Sequence, residues 1–348
     1  MTELARRLAD WSPPADWRRV VAVDAHTEGE PLRVILSGFP ELRGESVLAR
    51  RREARLEHDG VRRALMLEPR GHADMYGCIV MPPVTSDADL AVLFTHNEGF
   101  STMCGHGIIG LTTVLLECGL MDVVEPVTPV GIDTPAGFVR ATASVEKGRV
   151  SRVSFVNVPS FVERLDAEVD VEGVGSVRYD LAYGGAFYAY VEATDFDLRL
   201  MPNETPRLID LGRRIKASVQ SEAPPEHPED PELGFLYGTI FVGAALEPGG
   251  HSRNVCVFAD GEVDRSPTGT GVCGRLAIHY ARDEIGLDED IVVESILGTR
   301  FTGRVVGTGR VGEYAAIVPE VSGRAHVIGR NEIFIDPDDP LAEGFSLR

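Results

Sequence analysis

The sequence predicts a mixed α/β protein built as two related halves facing one another. The run Cys104-Gly105-His106-Gly107-Ile108-Ile109-Gly110 is matched late in the chain by Thr268-Gly269-Thr270-Gly271-Val272-Cys273-Gly274. Both read x-G-x-G-x-x-G, both lead into a helical stretch, and both stretches stop at a glycine followed by leucine, Gly119-Leu120 and Gly286-Leu287. A glycine there suits the C′ position of a helix, and a device repeated in one chain signals repeated architecture. A second observation is length: 348 residues exceed what one ordinary core accommodates and suggest two domains. The third is the spacing of short apolar runs between Gly, Pro and Asp, which reads as many strands and few helices.

Taken in order, residues 1–17 form a short helix and a linker. A strand follows at 20–23, then the polar loop 24–31 and a strand at 32–36. Further strands are expected at 77–81, 90–95, 138–143, 150–158, 187–192, 253–259, 303–311 and 314–318. Helices begin just after each glycine run, and one more spans about 204–220. The stretch 221–232, with four prolines and five acidic residues, reads as a surface loop.

Composition narrows the function. Hydrophobic residues make up 43% and charged residues 25% of the chain, as in soluble globular proteins. The net charge of −20 would be repelled by nucleic acid or an anionic membrane, so neither is an expected partner. No apolar run reaches the ~20 residues of a membrane span. The charged N-terminal segment lacks the apolar stretch of a signal peptide. Five dispersed cysteines without a C-x-x-C pair fit a reduced, cytoplasmic protein. Nine scattered histidines, with no H-E-x-x-H or Cys/His ligand spacing, argue against a metalloenzyme.

The glycine runs invite a dinucleotide reading, which the context rejects. A dinucleotide fold needs a buried parallel strand directly before the glycines and an acidic residue after the next strand. Here polar turns intervene, 97–102 and 261–267. Unpaired backbone N–H groups at a helix N-terminus instead bind a small anion such as a carboxylate. Two such ends pointing at one another would grip a carboxylate from both sides.

The two runs differ at their first position, a thiol in one and a hydroxyl in the other. A cysteine at a helix start has its thiolate stabilised by the same N–H groups and the helix dipole. Cys104 is therefore the candidate base or nucleophile. Cys78, Cys118 and Cys256 sit among apolar neighbours and read as packing, as does Cys273, which faces away from Thr268. His106 either contacts substrate or caps its loop, and Asp264 is either a turn-former or the partner of a substrate cation. His26, His72 and His96 read as structural hydrogen-bonding groups.

The motifs carrying this pattern are Asp24-Ala-His-Thr-Glu-Gly-Glu-Pro-Leu-Arg-Val34, Glu68-Pro-Arg-Gly-His-Ala-Asp-Met-Tyr-Gly77, Met103-Cys-Gly-His-Gly107, Tyr183-Gly-Gly-Ala-Phe-Tyr-Ala-Tyr190, Asp264-Arg-Ser-Pro-Thr-Gly-Thr-Gly271 and the segment Asp336–Phe345. Together they resemble the proline racemase family over nearly the whole chain after about Arg19. The resemblance implies two pseudo-symmetric α/β domains, each a curved, mostly antiparallel sheet around a central helix. That fold is similar to diaminopimelate epimerase, with the active site in the interdomain cleft and no cofactor. Domain limits of 18–150, completed by 325–348, and 151–324 are expected, as is a homodimer. Residue by residue, the resemblance makes Cys104 the base, with Gly105 and His106 contacting substrate. It assigns Asp264 to the ring nitrogen and Gly269 with Thr270 to the carboxylate.

Racemases and 4-hydroxyproline epimerases of the family carry cysteine at both helix starts. This chain departs by having Thr268 at the second. That feature marks the trans-3-hydroxy-L-proline dehydratase branch. The departure makes chemical sense. Racemisation needs acid–base groups on both faces of Cα, and a threonine hydroxyl is too weak an acid and base for that near neutral pH. Loss of water from trans-3-hydroxyproline needs one face only, because the hydroxyl lies on the same side of the ring as the Cα hydrogen. One thiolate beneath that side takes the proton, and either the resulting thiol or His106 protonates the departing hydroxyl. The enamine then tautomerises to 1-pyrroline-2-carboxylate. Rival readings are a 4-hydroxyproline 2-epimerase or proline racemase, a thiol hydrolase using Cys104 with His96 or His106, and a non-catalytic amino-acid-binding protein.

Overall fold

Two helices are buried on every side, and they organise the molecule. In the helix Gly105–Glu117 every residue from Gly105 to Leu116 is buried, and in Gly269–Ala281 every residue from Gly269 to Ile278 is. A helix with no polar face must be surrounded by other elements. The computed structural model describes residues 2–347. Met1 and Arg348, which fall within the terminal segments of the sequence reading, lie outside the described residues. Six α-helices occur among the described residues: α1 (Glu3–Ala9), α2 (Val47–Glu57), α3 (Asp59–Met66), α4 (Gly105–Glu117), α5 (Thr205–Glu222) and α6 (Gly269–Ala281).

Hydrogen-bonded pairings link 18 strands into one continuous network. Most pairs are antiparallel; Glu30–Ser37 with Tyr76–Met81, and Phe187–Glu192 with Leu236–Gly243, are among the parallel ones. Helix α4 packs on Arg18–Thr27, Glu30–Ser37, Gly137–Glu146, Arg149–Val156 and Ala325–Ile335, and α6 packs on Ser160–Val171, Gly175–Tyr183, Arg300–Val311 and Tyr314–Gly323. The two strand sets join where Glu320 of Tyr314–Gly323 pairs with Val156 of Arg149–Val156. Near its C-terminus the chain returns to its start: Ala325–Ile335 runs antiparallel to Arg18–Thr27, and Phe345 bridges to Glu68. The Arg70 guanidinium donates to the Leu341 and Ala342 carbonyls and fixes that return.

The mixed α/β class stands, and the expected helices after the glycine runs, the third long helix and the first short one all occur. Helices α2 and α3 correct the sequence reading, which assigned nothing there. In α2 (VLARRREARLE) only Val47, Arg51 and Ala54 are buried, so no apolar stripe announces it; Ser46 caps its start by accepting from the Ala49 N–H. Cys118 is also corrected. It is exposed at the end of α4 rather than packed.

Candidate active site

The start of α4 and the start of α6 meet head to head. A Cβ built on Gly105 would lie 2.6 Å from the Gly269 Cα, so only glycine permits the approach. Both residues before these glycines face one small cavity of about 20 Å³, room for about one water. Its walls include Cys104, Gly105 and His106 from the first unit and Asp264, Thr268, Gly269 and Thr270 from the second. All seven residues singled out in the sequence are thus brought together.

Cys104 is the N-cap of α4, and its Sγ accepts from the Gly107 N–H at 3.3 Å. The sulfur also lies 3.2 Å from His106 Nδ1 and 3.7 Å from Nε2. Burial pushes the Cys104 thiol well up, and the nearby Asp264 and Glu30 carboxyls push the same way; the Gly107 N–H and the Tyr76 hydroxyl pull against them. In the buried site desolvation outweighs those donors. Burial drives His106 down to about 4, with Asp264 and the Pro31 carbonyl opposing. The imidazole is therefore neutral at pH 7.

Thr268 occupies the matching N-cap of α6 with φ +66°, an uncommon conformation for a β-branched residue. Its buried side chain stands beside the Cys256 thiol, whose charged form it favours, and its N–H donates to Ser266 Oγ at 3.2 Å. Thr268 lines the cavity. Thr270 Oγ1 is engaged with Tyr188 Oη at 2.7 Å. Asp264 is buried and accepts the Ser266 N–H at 2.7 Å through Oδ1.

Several residues of the cavity were missed. Cys256, read as packing, lines it instead, and burial pushes its thiol well up. Tyr76, Tyr188, Tyr237 and Phe258 supply aromatic walls. Tyr76 Oη sits 2.7 Å from Ser101 Oγ and 3.4 Å from Tyr237 Oη, and its ring meets that of His106 edge-on at 4.6 Å. Glu30 is fully buried behind the site: Oε2 accepts the Arg265 N–H at 2.6 Å, while Oε1 is unpaired. Burial and the Asp264 charge push its carboxyl well above the usual range. His96 faces Glu262 at 3.3 Å. Neither lines the cavity.

Among the described residues one trio could offer a metal its ligand atoms, Glu53, Glu57 and His58 at the end of α2; none lines the cavity. No helix among the described residues is long and apolar enough to cross a membrane.

Comparison with known proteins places this geometry. The proline racemase family profile matches residues 22–346. The chain is 45% identical to a trans-3-hydroxy-L-proline dehydratase of Colwellia psychrerythraea, covering 100% of this chain and 99% of that protein. It is 46% identical to a 3-hydroxyproline 2-epimerase of Burkholderia multivorans, over 95% of this chain and 99% of the relative. The crystal structure of a hydroxyproline epimerase from Agrobacterium vitis, with bound trans-4-hydroxy-L-proline, superposes with a TM-score of 0.90. It is 33% identical over 95% of this chain and 96% of that one.

Proposed function

Because this chain belongs to the proline racemase family, we propose that it dehydrates trans-3-hydroxy-L-proline to 1-pyrroline-2-carboxylate. The observation that carries the reading is the single thiol at the abutting helix starts, Cys104 against Thr268. Relatives named as trans-3-hydroxy-L-proline dehydratases, at 45% and 46% identity, support it.

The fold reading beneath this proposal is two pseudo-symmetric domains, 18–150 completed by the C-terminal segment from 325, and 151–324. Each wraps a sheet around one buried helix, α4 or α6. The strands packed on each helix and the pairing of Ala325–Ile335 with Arg18–Thr27 support it. The site then lies between the halves. A five-membered ring does not fit a cavity of about 20 Å³, so the halves part to admit substrate. A cavity of about 470 Å³ shares Tyr237 with the inner one; Arg51, Arg55 and Lys216 line it together with Glu98, Glu232 and Asp260.

In the closed complex the substrate carboxylate sits on the N–H groups at the starts of α4 and α6, held by Gly105, His106, Gly269 and Thr270. Its secondary ammonium faces Asp264. That cation offsets the carboxylate charge that now holds the Cys104 proton in place, which favours the thiolate. Cys104 removes the Cα proton, and the carbanion spreads into the carboxylate held by both helix ends. Thr268 closes the opposite face without acting as a base. The test is direct: purified protein with trans-3-hydroxy-L-proline and no added cofactor yields 1-pyrroline-2-carboxylate. Recovery of unchanged substrate would refute the assignment.

A further inference from the structure

Removing water from a ring whose Cα hydrogen and 3-hydroxyl share one side places a demand on the site. The group that protonates the departing hydroxyl must stand on the same wall as the base. Cys104 and His106 belong to that wall, but each is committed. The Cys104 thiol holds the proton just taken from Cα, and both nitrogens of the His106 ring face the Cys104 sulfur, Nδ1 at 3.2 Å and Nε2 at 3.7 Å.

A third group stands there. Tyr76 opens the strand Tyr76–Met81, which belongs to the same unit as α4, and it lines the cavity beside Cys104 and His106. Its ring meets edge-on, at 4.6 Å, the ring of His106 that itself faces the Cys104 sulfur, and its hydroxyl favours the Cys104 thiolate. The same hydroxyl is held between Ser101 Oγ at 2.7 Å and Tyr237 Oη at 3.4 Å. Ser101 is itself fully buried, so the chain of hydroxyls is shielded from bulk water. Two further hydroxyls around a phenol are what a transient phenolate needs.

We propose that Tyr76 is the catalytic acid that protonates the leaving hydroxyl, in the reaction assigned above. The circuit balances. The Cys104 thiolate takes the Cα proton and becomes a thiol, while the Cα–H electron pair forms the C2–C3 double bond. The C3–O bond breaks, the departing oxygen takes the Tyr76 proton, and water leaves. The Tyr76 phenolate, held by Ser101 and Tyr237, then takes the proton from the Cys104 thiol. Both groups return to their starting state: water carries off the proton Tyr76 held, and the proton from Cα replaces it on Tyr76. Burial pushes the Tyr76 phenol well up, so it remains protonated between turnovers.

This inference rests on the dehydratase reading, and the experiment separates the two. Tyr76→Phe keeps the ring and removes the hydroxyl. Two substrates are compared on each protein: trans-3-hydroxy-L-proline, whose leaving group needs a proton, and trans-3-fluoro-L-proline, whose fluoride leaves without one. The readout is the ratio of kcat/KM for the hydroxy over the fluoro substrate, in which the folded fraction of each preparation cancels. Loss of a general acid is expected to lower this ratio about 100-fold or more in Tyr76→Phe. In deuterated water the recovered hydroxy substrate should gain deuterium at Cα, because the carbanion forms but cannot expel its hydroxyl. A ratio unchanged from wild type overturns the role of Tyr76. If the wild-type protein leaves trans-3-hydroxy-L-proline intact, the dehydratase reading falls and this inference with it.

Discussion

Gly105 and Gly269 touch backbone to backbone. A Cβ on either would lie 2.6 or 2.7 Å from the other's Cα, and one on Gly105 would also meet the Phe155 ring at 2.9 Å. Neither neighbour is the free end of a flexible side chain, so a methyl group forces the two helix starts apart. Gly105→Ala should therefore cost about 1–3 kcal/mol of stability, the usual range for overpacking. It should also lose more activity than stability, because the shared carboxylate grip depends on the separation. Thermal melts beside kinetic assays check this; an alanine variant with wild-type turnover would show that the contact is dispensable.

Among the described residues two thiols line the cavity, Cys104 at a helix start and Cys256 on a strand. Cys104→Ser keeps the cap geometry with an oxygen that ionises far less readily. Turnover of trans-3-hydroxy-L-proline should fall by about 100-fold or more. Exchange of the Cα hydrogen in deuterated water should fall in parallel. Persistent exchange in the serine variant would assign proton removal elsewhere.

In the proposed reaction Thr268, at the start of α6, closes the face opposite Cys104 without acting as a base, with the Cys256 thiol beside it. Thr268→Cys should bring optical inversion of trans-4-hydroxy-L-proline or L-proline above the wild-type background, measured by polarimetry. The positive φ of Thr268 is easier for unbranched cysteine than for threonine, so the exchange adds no backbone strain. A variant as inert as wild type toward both would count against the assigned geometry.

His106 makes the fold sensitive to acid. Its folded value, about 4, lies below the ordinary 6.5, so the unfolded chain binds the proton first as pH falls. The neutral-imidazole contribution is whole above 6.5 and is lost progressively between 6.5 and about 4. The shift corresponds to about 3 kcal/mol at most. Urea midpoints from pH 7 to 4.5 should drop less in His106→Asn than in wild type; parallel slopes would contradict this.

The sequence carried the skeleton of the site and little of its upholstery. Cys104 and Thr268 were legible because two glycine runs repeat one pattern around them, and Gly105 and Gly269 because nothing larger suits a helix start facing another. Tyr76 was not. A tyrosine at the head of an apolar strand looks like core, and only its register beside His96, with its hydroxyl on Ser101, sets it in the cavity wall. Cys256 was hidden for the same reason, inside the apolar run Val255–Phe258. Glu30 stood in a recognised motif, but its burial behind Asp264 depends on the turn at Arg265 folding over it. The strands Ser160–Val171 and Gly175–Tyr183 were missed because charged residues interrupt their alternation.

One-sided proton chemistry is tested most directly by proton NMR in deuterated water, with trans-3-hydroxy-L-proline, trans-4-hydroxy-L-proline and L-proline followed side by side. The account predicts that the first is consumed to 1-pyrroline-2-carboxylate while the other two keep their configuration at Cα. Inversion of 4-hydroxyproline or proline at a rate matching or exceeding water loss would contradict it.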